Sequence, residues 1–348
     1  MFGDYEVVRE LGRGGMGAVY LVRDPSDGAE FAVKVMFPTV NDSMSVRRFI
    51  REAEIAMTVK HPNLVHVHEV GRDPDTGLGY MVMDYAGGGS LRDLLLRRLA
   101  SGEGPLSPRE AISILRPVAS ALAAAEARGV VHRDIKPDNI LFTSAGVPLL
   151  ADLGVAKKSA GEDDSTLLTM SDVIVGTPAY MAPEQMTNSH AVDSRADVYS
   201  LGLVLWEMLV GERPTAGASA AELMARAIRG ERISDITTRL PRTPRLIVEL
   251  VRGMTEPMPE KRIPGPAAVL EFVDEWRSRE RRRFKTWLAA VIVFSVLVLS
   301  AVLAGGIWYV RRELSASREG SAAPSHSRVN DLSADDVGDA VDSVFGNL

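Results

Sequence analysis

His132-Arg133-Asp134-Ile135-Lys136-Pro137-Asp138-Asn139 is a charged and polar run set directly before the apolar Ile140-Leu141-Phe142. Placing that much charge beside a core costs free energy unless the groups are paired or put to use. Asp134 can accept a hydroxyl proton, Asn139 can supply an oxygen to a metal ion, and Lys136 can neutralise a transferring phosphoryl group. Downstream, Leu149-Leu150-Ala151 leads into Asp152-Leu153-Gly154. An aspartate at a strand end followed by glycine suits a hard Mg2+ ligand that bridges phosphates.

Upstream, Gly12-Arg13-Gly14-Gly15-Met16-Gly17-Ala18-Val19 fits the pattern G-x-G-x-x-G-x-V. Glycines let backbone N–H groups approach phosphate oxygens without a Cβ in the way. The pattern alone also fits a dinucleotide loop, but that loop leads into a helix. Here the β-like Val19-Tyr20-Leu21-Val22 follows, so the loop joins two strands. Lys34 sits inside the apolar Ala32-Val33-Lys34-Val35, where taken alone it reads as a snorkelling edge lysine. Residues 47–59 form an amphipathic stretch with Glu52 on the side of Phe49, Ala53 and Ala56. A Lys34–Glu52 pair would hold the lysine on nucleotide phosphates. A solvated surface carboxylate is the alternative for Glu52.

The bulk composition narrows the classes. The chain has 348 residues, 46% apolar and 25% charged, enough for a two-lobed domain with a large core. A net charge of -6 offers no basic field for nucleic acid. With no cysteine, disulfides, thiolate zinc sites and a cysteine nucleophile are excluded. Strand-like segments (residues 5–11, 18–24, 30–37, 65–70 and 80–84) surround one helix near 45–59. Helical patterns over 91–99, 108–128, 198–209 and 220–229 follow, so a strand-rich lobe precedes a helix-rich one.

Together these residues resemble the eukaryotic-like (Hanks-type) Ser/Thr protein kinase family. The strings LGRGGMGAVYL (11–21), HPNLV (61–65) and GTPAYMAPEQ (176–185) are similar to its bacterial membrane-anchored members. The likeness covers residues 5–276, with the motifs in family order through Ala182-Pro183-Glu184. It implies an α+β bilobal protein kinase fold, with an N-lobe over 5–85 and a C-lobe over 86–276. It implies that Lys34, partnered by Glu52, anchors ATP phosphates under a loop of Gly12, Arg13, Gly14, Gly15, Met16, Gly17 and Ala18. Leu11, Val19, Ala32 and Leu141 would enclose the adenine, Met83 would be the gatekeeper, and Asp84 to Ala86 the hinge. Asp134 would be the catalytic base beside Lys136. Asn139 and Asp152 would hold Mg2+, with Mn2+ as an alternative. Asp197 would brace the catalytic loop, and Glu184 with Arg262 would form a buried ion pair. Leu153 departs from the family's usual phenylalanine, which bears on the inactive conformation more than on the chemistry.

The resemblance also implies substrates and control. Lys136 and Thr177 point to Ser/Thr hydroxyls of protein substrates. Arg133 before Asp134 implies control by loop phosphorylation, with Thr169 and Ser171 as sites and a kinase-domain dimer for trans-autophosphorylation.

Beyond the kinase-like region lies a basic segment, 277–287, then the charge-free 288–310 and a polar tail, 311–348. The 23 residues from Leu288 to Val310 suffice to span a hydrocarbon core of about 30 Å as a helix. Trp287, Trp308 and Tyr309 mark its two ends as interfacial residues do. Arg277, Arg279, Arg281, Arg282, Arg283 and Lys285 outnumber the nearby Arg311 and Arg312 beyond the span. The positive-inside rule then expects a single-pass inner-membrane protein with its kinase region in the cytoplasm. The N-terminal MFGDYEVVRE has no basic start followed by an apolar run, so no cleaved signal is expected. In the tail, Ser333 followed by acids and then Val337, Val341, Val344 and Phe345 suggests a short amphipathic helix, with disorder as the alternative.

Overall fold

Five antiparallel strands form the first sheet: β1 (Glu6–Gly14), β2 (Gly17–Arg23), β3 (Glu30–Met36), β4 (Val67–Arg72) and β5 (Gly79–Asp84). The computed structural model describes residues 4–14, 17–37, 50, 53–73, 76–153, 178–187 and 192–320. Gly15, Met16, Glu52, Thr169, Ser171, Thr177 and the tail helix expected after Ser333 lie outside these residues. The strand order is β1-β2-β3-β5-β4, which puts β3 at the centre.

Because side chains alternate across a strand, β3 feeds two clusters. Val33 and Val35 join Val22, Tyr80 and Val82 on one face. Ala32 joins Met83, Val67 and Ala53 on the other, and Ala53 comes from the helix α1 (residues 53–58). Lys34 is two residues from Ala32, so it shares that second face. β4 starts two residues later than the sequence pattern suggests, and the reason is local. Val65 donates its N–H to Leu150 O at 2.9 Å, so this stretch pairs with the second lobe before joining the sheet.

The second lobe is mostly helical. Its elements are α2 (Leu91–Ser101), α3 (Pro108–Glu126), α4 (Pro183–Thr187), α5 (Ser194–Val210), α6 (Ala220–Ile228), α7 (Ile236–Arg239), α8 (Arg245–Met254) and the start of α9 (Pro266–Gly320). Between α3 and α4 lies a two-stranded hairpin, β6 (Ile140–Phe142) with β7 (Pro148–Leu150). Ser90 and Ser107 start α2 and α3 with capping boxes closed by Asp93 and Glu110. α5 is buried on nearly every side, from Ala196 through Leu209, and forms the axis of this lobe. α8 can approach it closely because Gly202 has no side chain. A Cβ there would lie 2.8 Å from Met254 Cβ and Thr255 Cγ2.

The chain divides into two compact units, Met1–Arg279 and Glu280–Leu348. In the first, Val269, Val273 and Trp276 of α9 pack into the core of the second lobe. In the second, α9 is exposed along its apolar run, and its hydropathy and length suffice to cross a membrane.

Candidate active site

One face of the first sheet gathers the residues that the resemblance assigns to adenine. Leu11, Val19, Ala32, Met83, Ala86 and Leu141 all fall in one apolar cluster, although the last lies 130 residues beyond the first. Pairing explains this convergence: Ala32 sits opposite Met83, and Lys34 opposite both Val19 and Met81. The glycine loop is the β1–β2 hairpin, with Gly12 opposite Val19 and Gly14 opposite Gly17. A Cβ on Gly12 or Gly14 would meet nothing within 4 Å, so both backbones are open to a ligand. Gly17 is different, since a Cβ there would collide with Val35 O at 2.1 Å. Arg13 turns its guanidinium back to Glu10 (2.6 Å) and over the Phe37 ring.

Asp84, at the end of β5, ties that strand to the segment before β4 through its side chain. It accepts from His66 N at 3.1 Å and contacts His68 Nε2 at 2.6 Å.

Lys34 Nζ reaches Asp152 Oδ1 at 2.7 Å. The ammonium holds the Asp152 carboxyl below its usual range against the opposing effect of burial. Asp152 therefore stays ionised at neutral pH, as a cation ligand must. Glu52, the partner expected for Lys34, is outside the described residues, and Asp152 was not expected to bond the lysine.

The octet of residues 132–139 folds into a bonded loop. Lys136 Nζ lies 2.8 Å from Asp134 Oδ2. Asn139 Nδ2 donates to Asp134 O (2.8 Å) and to Oδ2 (3.1 Å), which leaves its Oδ1 as an oxygen donor for a cation. Asp197, buried on α5, accepts the backbone N–H groups of His132 and Arg133, both at 2.7 Å. Burial pushes its carboxyl up, while the two backbone N–H bonds oppose that shift. His132 is held in one tautomer: Nε2 donates to Ala151 O at 2.9 Å and Nδ1 accepts from Asp134 N at 3.3 Å. Ala151 N in turn donates to Asn139 O at 2.8 Å, tying the loop to the Asp152 segment.

Among the described non-glycine residues, only Arg133 (φ 64) and Asp152 (φ 55) have positive φ. Such backbone persists where surrounding bonds over-determine it, and here it flanks the Asp134–Asn139 node. The Arg133 guanidinium is nearly buried, and burial pushes it below its usual pKa. Among the described residues the guanidinium makes no hydrogen bond or ion pair; Arg133 bonds through its backbone, its N–H donating to Asp197 and its carbonyl accepting from Gln185.

Glu184 and Arg262 meet in the structure. The bond is bidentate, at 2.6 and 3.0 Å, and the arginine side chain is fully buried. Arg262 also donates to the carbonyls of Arg195, Glu256 and Pro257 and lies over the Tyr199 ring.

Sequence reasoning missed a second buried network. Arg92 on α2 pairs with Glu207 on α5 at 2.7 Å and donates to Tyr180 OH at 2.5 Å, and Tyr180 OH donates to Glu207. Arg92 Nε also lies 3.6 Å from Asp138 of the octet. Burial alone would lower the arginine's pKa, but the bonds to Glu207 and Tyr180 outweigh it and raise it. The network joins the loop of residues 132–139 to the Tyr180 segment. Arg92 lies in a stretch, Leu91-Arg92-Asp93-Leu94-Leu95-Leu96-Arg97-Arg98, where it looks like any other surface arginine. The one available signal was Glu207 inside the otherwise apolar Leu201–Val210 run.

No group of three or more His, Asp or Glu side chains converges to cage a metal among the described residues. One carboxylate and one amide oxygen suit Mg2+ that arrives with phosphate, since that ion keeps few protein ligands.

The protein kinase domain model matches residues 5–272. Over 230 residues the chain is 36% identical to the Bacillus subtilis serine/threonine-protein kinase PrkC, covering 66% of this chain and 34% of that protein. Over 232 residues it is 37% identical to the Mycobacterium tuberculosis serine/threonine-protein kinase PknB, covering 66% and 36%. It thus spans about a third of the length of these relatives. A crystal structure of the Mycobacterium tuberculosis PknI kinase domain superimposes with a TM-score of 0.61 at 29% identity, covering 79% of this chain and 97% of that one. With this fold, these motifs and that match over 5–272, the chain belongs to the protein kinase domain family.

Proposed function

We propose that the chain is a membrane-anchored Ser/Thr protein kinase. It transfers the γ-phosphoryl group of ATP to protein hydroxyls, including hydroxyls in its own segment between Asp152 and Glu184. The observation that carries this reading is the node of Asp134, Lys136 and Asn139, joined through Ala151 to an ionised Asp152 bonded to Lys34.

Asp134 accepts the proton of a Ser or Thr hydroxyl as its oxygen bonds to the γ-phosphorus. The bridging O–P bond of ATP breaks and ADP leaves. Lys136, beside Asp134, offsets charge on the transferring group. Lys34 holds the α/β-phosphates, and the cluster from Leu11 to Leu141 encloses the adenine. Mg2+, when bound, offsets phosphate charge, and Asp152 with Asn139 would supply its protein oxygens. Positioning by Asp197 and the Arg92 network supplies much of the acceleration, because phosphoryl transfer asks little covalent chemistry of the protein.

Regulation follows from Arg133. Its nearly buried guanidinium, without an ion pair among the described residues, favours an incoming anion. A phosphate on Thr169 or Ser171 adds about -1.5 to -2 charges and offers that anion. Transfer between two kinase domains in a transient dimer would install it. The helix over 288–310 anchors the kinase region at the cytoplasmic face of the cell membrane. The net charge of -6 speaks against nucleic-acid partners.

Purified protein incubated with labelled Mg·ATP tests the reading. Label is expected on phosphoserine and phosphothreonine, with Thr169 or Ser171 among the modified positions. Label on tyrosine alone, or none, contradicts it. Protease treatment of spheroplasts bearing tags at both ends checks orientation: digestion of the N-terminal tag would reverse the topology.

A further inference from the structure

The cations between the kinase region and the apolar run are not equivalent. Arg277 and Arg279 are engaged, 3.9 Å from Asp274 and 2.5 Å from Glu275. Closer to the span, Arg281, Arg282 and Lys285 are exposed and make no ion pair among the described residues. Arg283 lies between Arg282 and Lys285 in the sequence. At about 100° per residue, positions 281, 282, 283 and 285 spread over about 200° of the helix circumference. They form a collar and not a single stripe.

Axial spacing places the collar at a defined depth. With about 1.5 Å rise per residue, positions 281–285 lie about 4–11 Å before Leu288, the first residue of the apolar run. The polar headgroup layer outside a bilayer's hydrocarbon core is about 5–8 Å thick. Phe284 and Trp287 are 53% and 60% exposed, and their ring centroids are 6.1 Å apart. Exposed rings at that level suit the boundary between headgroups and chains. The opposite end of the run carries less free charge. There the Arg312 guanidinium lies over the Trp308 ring at 5.3 Å, and Glu313 follows.

We propose that Arg281, Arg282, Arg283 and Lys285 form a binding collar for anionic phospholipid headgroups. The inference rests on the membrane-anchored reading and adds a ligand class to it. Guanidinium groups match phosphate oxygens bidentately, and an ammonium adds a point charge. Lipid phosphodiesters with a net-negative headgroup complement a cationic collar, whereas zwitterionic headgroups offer it no net charge. An acidic protein partner would need one binding face, which charge spread around the helix does not present.

The test reconstitutes the full chain into phosphatidylcholine vesicles containing phosphatidylglycerol. In one preparation the phosphatidylglycerol carries brominated chains, in the other an equal mole fraction of phosphatidylcholine does. Trp287 fluorescence, obtained by subtracting the Trp287→Phe chain, reports which lipid touches the helix. Quenching by the anionic lipid is expected to exceed quenching by the zwitterionic one about twofold at low salt. The excess should fade near 0.5 M salt, where the screening length is about 4 Å. It should also vanish in the Arg281→Gln/Arg282→Gln/Arg283→Gln/Lys285→Gln variant, which keeps the apolar run. Carbonate washing separates the two readings. A chain stripped from the vesicles overturns the anchor and the collar with it. A retained chain with equal quenching by both lipids, or an excess unchanged in the Gln variant, overturns the collar alone.

Discussion

His61 opens the His61–Val65 element, and both nitrogens of its ring are committed. Nδ1 accepts the Asn63 N–H at 3.1 Å, so Nε2 carries the proton toward Ser120 Oγ at 3.0 Å. Protonating Nδ1 would break the Asn63 bond, and burial already holds the ring's pKa below its usual value. Between that lowered value and the unfolded value of about 6.5, the unfolded chain binds more protons than the folded one. Stability from His61 is therefore present above about pH 6.5 and is lost as pH falls through this window. Denaturant midpoints measured from about pH 7.5 to about pH 5.5 should fall less steeply for His61→Gln than for wild type. Parallel curves would remove His61 from the account. The sequence shows His61 in a motif but not what its ring does, because its partner Ser120 is 59 positions away. The same limit applies to Asp134 and Asn139. The octet suggested the chemistry proposed for them, but their mutual hydrogen bonds depend on a turn whose backbone includes the left-handed Arg133.

α2 and α5 show what one buried charge does between elements. Arg92 is mostly buried at 22% side-chain exposure, and Glu207 is at 5%. Removing one partner leaves the other charged and unpaired, which costs roughly 3 kcal/mol or more. Arg92→Met and Glu207→Gln should each destabilise the protein on that scale. The double variant should lose at least about 1 kcal/mol less than the sum of the two. Chemical denaturation of all four proteins checks this, and additive losses would mean that the two residues act separately. Tyr180 should lose its fixed position in either single variant, so peptide phosphorylation should fall as well. Most elements were readable from periodicity: the five strands, α2, α3, α5 and α6 appear close to where the pattern puts them. α7, α8 and the packed start of α9 were not. α7 has only four residues, and the apolar positions of α9 in the core merge into a run dominated by arginine. β4 was displaced because the residues before it bond to Leu150 across the lobes.

For the molecule as a whole, the order of strand-rich then helix-rich sequence was enough to give two lobes, and the resemblance gave them a function. The long-range pairs were not legible from pattern alone. Lys34 and Asp152 are 118 positions apart, and Glu184 and Arg262 are 78 apart. No periodicity carries such a pairing; the family motifs supplied the Glu184–Arg262 pair as an expectation, whereas the Lys34–Asp152 contact was not foreseen. Arg92 belongs to no motif quoted above and was missed. The central claim is that this constellation transfers phosphoryl groups. Initial rates of transfer from Mg·ATP to a Ser/Thr peptide should be measured with the wild type, Lys34→Met and Asp134→Asn, with melting temperatures from the same preparations. Both variants should lose at least about 100-fold in rate. Neither makes a large cavity, so both should melt within a few degrees of wild type. A near-wild-type rate in either folded variant would contradict the account.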